Sequence, residues 1–197
     1  MAAVTDDQRR QVAQRLRDLA DRAAVEDLGA DGWDELDLRL AAAADLFAGA
    51  PDERTRFARG FIEAARHPIA EGTSGVYPPI EFVWHDDLLV AHVRFGAAWE
   101  GPPDLVHGGY LAAGFDMVIS SMAHRILGHS VTRRLQLRYL KPTFHRSALR
   151  YEVEADAPQG RLLELRGRLY ADDQVTMRAT AQFASVGTER FADRRRS

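Results

Sequence analysis

The 197-residue sequence predicts an α+β fold in which a curved antiparallel sheet wraps around one long central helix. Two observations predict this arrangement. Residues 108–127 form a long apolar segment, and a helix that is apolar around most of its circumference must be surrounded by other elements. Strand-like runs joined by short turns lie on both sides of that segment, and short turns favour antiparallel pairing. A helical extension is predicted to precede this unit.

Residues 1–75 form the predicted N-terminal helical extension, because apolar residues recur there at spacings of three and four. We expect two or three amphipathic helices that act by packing, as a cap, a lid or a contact with a partner chain. The stripes are Val12, Leu16, Leu19 and Ala23; Trp33, Leu36, Leu40, Ala44 and Phe47; and Phe57, Phe61, Ile62 and Ala65.

Residues 76–187 form the predicted sheet-and-helix domain, and residues 188–197 a flexible basic tail. Two strands and a hairpin turn at 85–87 come before the central helix, and about four strands follow it. The predicted strands cover 80–84, 88–95, 131–140, 148–156, 161–170 and 174–186.

Composition narrows the classes of function. The formal net charge of −3 gives no electrostatic reason to expect nucleic acid or an acidic membrane surface. The chain has no cysteine, which excludes disulfides, cysteine nucleophiles and thiolate metal sites. Because the apolar segment contains Asp116, His124 and Arg125, we interpret it as a buried helix rather than a membrane span. With no signal-peptide pattern at the N-terminus, we expect a cytoplasmic protein.

The candidate catalytic residues are His107-Gly108-Gly109 and Asp116. The Gly108 N–H falls in the first helical turn, where it has no intrahelical partner, so it can stabilise an oxyanion. Asp116 is a lone carboxylate in an apolar segment, and desolvation makes a carboxylate a better base. The alternatives are a plain loop-to-helix junction for the glycines and, for Asp116, a structural pairing with an arginine or a loop cap.

Helix geometry indicates a site shared between subunits. Asp116 follows Gly108 by eight residues, which is about 80° around the helix axis and roughly 12 Å along it. One small reactive carbon cannot easily contact both groups on the same helix. We therefore expect Gly108 of one subunit to face Asp116 of another, in a homodimer or a homotetramer.

Two motifs resemble the hotdog-fold acyl-CoA thioesterases, of the phenylacetate-pathway or thioesterase-superfamily-member type. They are residues 100–109 with Asp116, and residues 131–143, whose sequence is Val-Thr-Arg-Arg-Leu-Gln-Leu-Arg-Tyr-Leu-Lys-Pro-Thr. The resemblance covers about residues 76–187. It implies that Gly108 polarises the thioester carbonyl, that Asp116 is the general base or nucleophile, that Thr132 orients the attacking water, and that His107 shapes the carbonyl pocket.

The sequence departs from that family in two places. Some members have an asparagine upstream of the histidine, where this chain has Glu100-Gly101-Pro102. Thr132 is also out of phase with Leu135, Leu137 and Tyr139. In a regular strand it would point to the opposite face, so it needs a bulge or a late strand start to reach the site.

Three further residues are predicted to bind substrate. Gly109 allows a ligand to approach the backbone closely. Lys141 and Arg146 flank a proline-containing loop and could meet the phosphates of coenzyme A, although solvated surface positions are the alternative for both. No motif of metal-ligand spacing is present, so we expect neither a metal nor a cofactor.

The resulting hypothesis is an enzyme that hydrolyses an acyl-CoA to a carboxylate and free coenzyme A. One alternative is a hotdog protein that binds acyl-CoA without catalysis. A second is an acyl-thioester dehydratase or hydratase, although the Asp-x-Asn-Pro-x-His signature of such hydratases is absent. The acyl group itself is not determined by the sequence.

Overall fold

A computed structural model describes residues 5–46 and 74–186. The third predicted helical stripe and the predicted tail lie outside these ranges. The helices are α1 (Asp6–Val25), α2 (Gly29–Asp45) and α3 (Gly108–Leu127). The strands are β1 (Glu81–Trp84), β2 (Leu88–Val93), β3 (Ser130–Tyr139), β4 (Leu149–Ala155), β5 (Leu162–Ala171) and β6 (Gln174–Ser185). A 3₁₀ turn covers Ala97–Trp99.

The six strands form one antiparallel sheet with the order β1-β2-β4-β5-β6-β3. Tight turns set the local pairings. Asp172 and Asp173, between β5 and β6, both have positive φ, of 49° and 63°, as two-residue hairpin turns require. Strand β3 pairs only with β6 and lies at the sheet edge. The predicted α+β class, with an antiparallel sheet packed on one long helix, is confirmed.

Helix α3 packs one face against the sheet. Phe115, Val118 and Ile119 are fully buried there, and the Phe115 ring meets the Tyr151 ring edge-on at 4.9 Å between centroids. Gly114 permits this close approach, since a Cβ at that position would lie 2.3 Å from the Tyr151 hydroxyl. The Tyr151 hydroxyl in turn donates to the Leu111 carbonyl at 3.2 Å. These contacts fix the helix on the sheet.

The opposite face of α3 corrects one expectation. We predicted a helix surrounded by the sheet, but Gly109, Tyr110, Ala113 and Asp116 are exposed in the single chain. The strands cover only one side of the helix, because the six-stranded sheet curves without closing around it. This exposed stripe is the face that carries the candidate carboxylate.

Helix α1 docks on the 3₁₀ turn through a polar face. Its buried residues are Ala13 and Arg17, whereas Val12 and Leu16 of the predicted apolar stripe remain 52% and 47% exposed. The Arg17 guanidinium donates to the Ser74 carbonyl. The face of α1 that packs on the domain is therefore offset by one residue from the predicted apolar stripe. This offset places Arg17 against the domain, where backbone polar groups such as the Ser74 carbonyl need hydrogen-bond partners.

Helix α2 has no buried residue, so its apolar stripe does not pack into the core of the described chain. None of the helices within residues 5–46 and 74–186 is long and apolar enough to cross a membrane. The domain boundary at residue 75 and the role of the extension stay predictions.

Candidate active site

The N-terminus of α3 presents one backbone donor. His107 is the N-cap, and its Nδ1 accepts a hydrogen bond from the Gly109 N–H at 3.1 Å. The His107 N–H donates to the Trp99 carbonyl at 2.9 Å, which fixes the approach to the helix. Within the described residues, the Gly108 N–H has no hydrogen-bond partner. The cap therefore engages Gly109 and leaves Gly108 as the donor available to a ligand.

Tyr139 packs against that donor and was not among the predicted site residues. Its hydroxyl donates to the Gly108 carbonyl at 2.9 Å, and a Cβ on Gly108 would lie 3.2 Å from its ring. Its alternation with Leu135 and Leu137, which pack against the core, indicates the face of β3 on which Tyr139 lies but not its contact with Gly108. Tyr139 thus fixes the first turn of α3 from the end of β3.

The carboxylate lies two turns further along α3, beside the start of β3. The Thr132 hydroxyl donates to Asp116 Oδ1 at 3.4 Å. A register shift between Thr132 and Arg134 makes this contact feasible, since β3 holds one residue more than its partner there. Of the two arrangements that would bring Thr132 to the site, a bulge or a late strand start, β3 has the bulge.

One electrostatic expectation is wrong for the single chain. We expected Asp116 to be desolvated by apolar neighbours, but it lies on the exposed face of α3. The apolar residues around it in the sequence point to the sheet, because a helix separates neighbours in the chain onto different faces.

The two halves of the site are far apart within one chain. Gly108 and Asp116 belong to one uninterrupted helix, so their separation along the axis is about 12 Å. Gly108 lies with Tyr139, and Asp116 lies with Thr132. Each chain therefore presents a backbone N–H with no partner among the described residues at one point and a carboxylate–hydroxyl pair at another.

The two predicted cationic residues lie in different surroundings. Lys141 follows the end of β3, and its Nζ donates to Gln174 Oε1 at 3.1 Å. Arg146 instead lines a cleft between α1 and the sheet domain, whose lining includes none of Gly108, Asp116 and Thr132.

Among the residues that the structure describes, one group of side chains could accept a cation. Ligand atoms of Glu100, Asp104 and His145 lie within 4.8 Å of one another, and the first two residues are exposed. His145 Nε2 lies 3.8 Å from Asp104 Oδ1, an ion pair when the histidine is protonated. Neither the Gly108 half nor the Asp116 half includes these residues.

Comparison with known proteins identifies the class. Residues 104–178 match the family model described as the thioesterase superfamily. A solved structure described as a thioesterase superfamily protein is 22% identical, with a TM-score of 0.77 over 89% of this chain and 94% of that one. No curated protein matches the chain.

Two further solved structures are similar to about half of this chain. The PaaI protein of the E. coli phenylacetic acid degradation operon is 14% identical, with a TM-score of 0.52 over 55% of this chain and 80% of that one. A hypothetical thioesterase from Streptococcus pneumoniae, solved with coenzyme A, is 17% identical, with a TM-score of 0.52 over 55% and 89%. The chain is thus a hotdog-fold protein. More particularly, its residues 104–178 match the model of the thioesterase superfamily.

Proposed function

We propose that this protein is an acyl-CoA thioesterase, which hydrolyses an acyl-CoA thioester to a carboxylate and free coenzyme A. The observation that carries the proposal is that one helix contains both Asp116, which accepts a hydrogen bond from Thr132 of β3, and Gly108, whose N–H has no partner among the described residues. The match of residues 104–178 to the thioesterase superfamily model supports thioester chemistry in general.

The chemistry needs only these groups and water. A thioester carbonyl is already reactive, so an oxyanion donor and an activated water suffice without a metal. The Gly108 N–H, aided by the positive end of the helix dipole, stabilises the oxyanion that forms on attack. Asp116 accepts a proton from the water that Thr132 orients. A C–O bond forms, the C–S bond breaks, and the CoA thiolate takes up the proton. Attack by Asp116 itself, followed by hydrolysis of the anhydride, gives the same products.

The site is proposed to form between two copies of the chain. Two observations support this arrangement: the exposed stripe of α3 that contains Asp116, and the position of β3 at the sheet edge. Unpaired edge strands and exposed faces are surfaces that second copies can cover. Two antiparallel α3 helices would place Gly108 of one copy beside Asp116 of the other and desolvate that carboxylate.

The substrate class is proposed on chemical grounds. The Streptococcus pneumoniae structure holds coenzyme A in a protein of the same fold. In this chain, Lys141 lies just beyond Tyr139, which contacts Gly108. An ammonium group there suits a phosphate of coenzyme A. His107 and Gly109, locked together by their hydrogen bond, would form the rim of the carbonyl pocket.

The test is thiol release from a panel of acyl-CoAs that differ in chain length and aromaticity. Ellman's reagent has no protein background here, because the chain has no cysteine. Asp116→Asn is expected to lower kcat by about 10²- to 10⁴-fold, the range for loss of a general base. Asp87→Asn, an exposed carboxylate in the β1–β2 turn, is the matched control and should leave kcat unchanged.

Binding separates the proposed enzyme from a non-catalytic acyl-CoA protein. The Asp116→Asn variant should still bind a non-hydrolysable acyl-CoA analogue, since Asp116 is needed for the chemical step. If the wild type binds the analogue but releases no thiol from any acyl-CoA, the enzyme assignment fails and the binding-protein alternative replaces it.

A further inference from the structure

We propose that the cleft between α1 and the sheet domain is a binding site for a small amphipathic carboxylate. This site goes beyond the proposed hydrolase function. Its lining contains none of Gly108, Asp116 and Thr132.

The cleft has the size and the walls of a ligand site. Its volume is about 530 Å³, within the range of roughly 300–1,000 Å³ typical of small-molecule pockets. One wall is α1, and the other is formed by the segments before β1 and after β2. The apolar part of the lining consists of Val25, Pro78, Pro79, Phe95, Ala97 and Trp99.

The wall formed by α1 is firmly docked. Asp21 Oδ1 accepts a hydrogen bond from the Ala98 N–H at 2.8 Å. A Cβ on Gly96 would lie 2.0 Å from the Asp21 carboxylate, so the helix approaches the backbone as closely as a glycine allows. Arg17 is buried against Ser74, and this burial lowers its pKa. The cleft is therefore built by specific contacts between α1 and the domain.

Two arginines in the lining are available to an anion. Arg94 and Arg146 come from different segments, and Arg94 Nη1 donates to the Arg146 carbonyl at 2.8 Å. Within the described residues, neither guanidinium has a carboxylate partner. Arg22, by contrast, is paired with Glu26 at 2.9 Å. Guanidinium groups bind carboxylates through two parallel hydrogen bonds.

The backbone holds Arg146 in place at the cleft. Its φ is 68°, a left-handed conformation that is costly for a residue with a Cβ. Its N–H donates to the Phe95 carbonyl at 2.8 Å, and Phe95 forms part of the apolar lining. One backbone hydrogen bond thus joins the segment that carries the Arg146 side chain to the segment that carries the Phe95 ring.

The balance of charge and apolar surface favours a monocarboxylate. Among the described residues of the lining, Asp21 is the one acid, and its carboxylate already accepts the Ala98 N–H. Two arginines without an acidic partner match one carboxylate. A nucleotide carries several charges and a sugar, and burying these groups against a mostly apolar lining without hydrogen-bond partners is costly.

The experiment measures binding of octanoate to the full-length protein by calorimetry. The wild type should show saturable binding. The double variant Arg94→Met/Arg146→Met should lower the affinity by about tenfold or more, because hydrogen bonds to charged groups are lost. Arg178→Met, an exposed arginine on β6 outside the cleft, should bind octanoate as the wild type does.

A second variant tests whether octanoate binds in this cleft by filling the cleft with a larger side chain, without removing an arginine. Val25→Trp fills the cleft from a residue that is 60% exposed, so folding is preserved, and octanoate binding should be lost. Asp116→Asn should bind octanoate normally, which separates this site from the proposed active site.

Three outcomes would overturn the proposal. They are the absence of saturable octanoate binding to the wild type, equal affinity in the double arginine variant, and tighter binding of adenosine 3′,5′-bisphosphate than of octanoate.

Discussion

The two faces of helix α3 have opposite properties. The face toward the sheet is apolar and closely packed, with Phe115, Val118 and Ile119 fully buried. The face away from the sheet is exposed and contains Asp116. The first face holds the fold together, and the second holds the groups proposed to act on substrate. Substitutions on the first should therefore change stability, and substitutions on the second should change activity.

The largest stability effect is expected at Gly114. In Gly114→Ala the new Cβ would lie 2.3 Å from the Tyr151 hydroxyl and 2.9 Å from the Tyr77 hydroxyl. Tyr151 is fully buried and cannot easily move, so we expect a loss of about 3 kcal/mol in the free energy of unfolding. Urea denaturation measures it. The neighbouring exposed Ala113→Ser should cost about 0.5 kcal/mol, and equal losses in both variants would mean that the two faces do not differ.

Beside the exposed face of α3, Thr132 of β3 contacts Asp116, and Thr132→Ala should lower kcat about tenfold, or roughly 1.4 kcal/mol in activation free energy. The variant loses the hydroxyl that contacts Asp116 and, because Thr132 is exposed, keeps its stability. Thr132→Ser retains the hydroxyl and should recover most of the activity. Loss of stability in Thr132→Ala, without loss of kcat, would assign Thr132 to the fold.

The smallest expected effect is a loss of stability at alkaline pH, which arises from the buried tyrosines Tyr77 and Tyr151. Burial raises the pKa of both Tyr77 and Tyr151 above the ordinary 10.0. A raised folded-state pKa means that the stabilisation is complete well below pH 10 and is lost as the pH rises through and beyond it. We expect stability at pH 10 to be about 1 kcal/mol below its value at pH 7.

Thermal melts across this pH range measure the effect. Tyr77→Phe should reduce the alkaline loss by about half, because one of the two shifted tyrosines is removed. Ala113→Ser, which removes no ionisable group, is the control and should leave the pH dependence unchanged. An equal reduction in both variants would contradict the burial argument.

Periodicity in the sequence predicted the elements well. The apolar segment 108–127 coincides with α3, and the predicted strands match β1–β6 to within a few residues. The out-of-phase position of Thr132 indicated either a bulge or a late strand start, and β3 contains the bulge. These features are local, since they follow from the spacing of side chains along one element.

Contacts between elements were harder to predict. Arg17 and Asp21 dock α1 through Ser74 and the Ala98 N–H. These partners are distant in the chain, and hydropathy gives no signal for such pairs. The exposure of Asp116 was missed for a similar reason, because the sequence of a helix does not reveal which side a sheet covers. Tyr139 was missed as a neighbour of Gly108 because only the fold brings the end of β3 to the start of α3.

The central claim is that Gly108 of one copy acts with Asp116 of another. Gly108→Pro removes the donor and suits the backbone, since proline is tolerated in the first helical turn and His107 has the extended ψ of 129° that a following proline requires. Gly108→Ala adds a Cβ but keeps the N–H, and is the control for crowding against Tyr139.

The most direct measurement is thiol release by the Asp116→Asn and Gly108→Pro chains, each inactive alone, after they are mixed and allowed to exchange subunits. Shared sites predict recovery of about one quarter of wild-type activity, because half of the dimers are mixed and each mixed dimer has one complete site of two. If mixed dimers form and no activity returns, the two groups do not act across subunits.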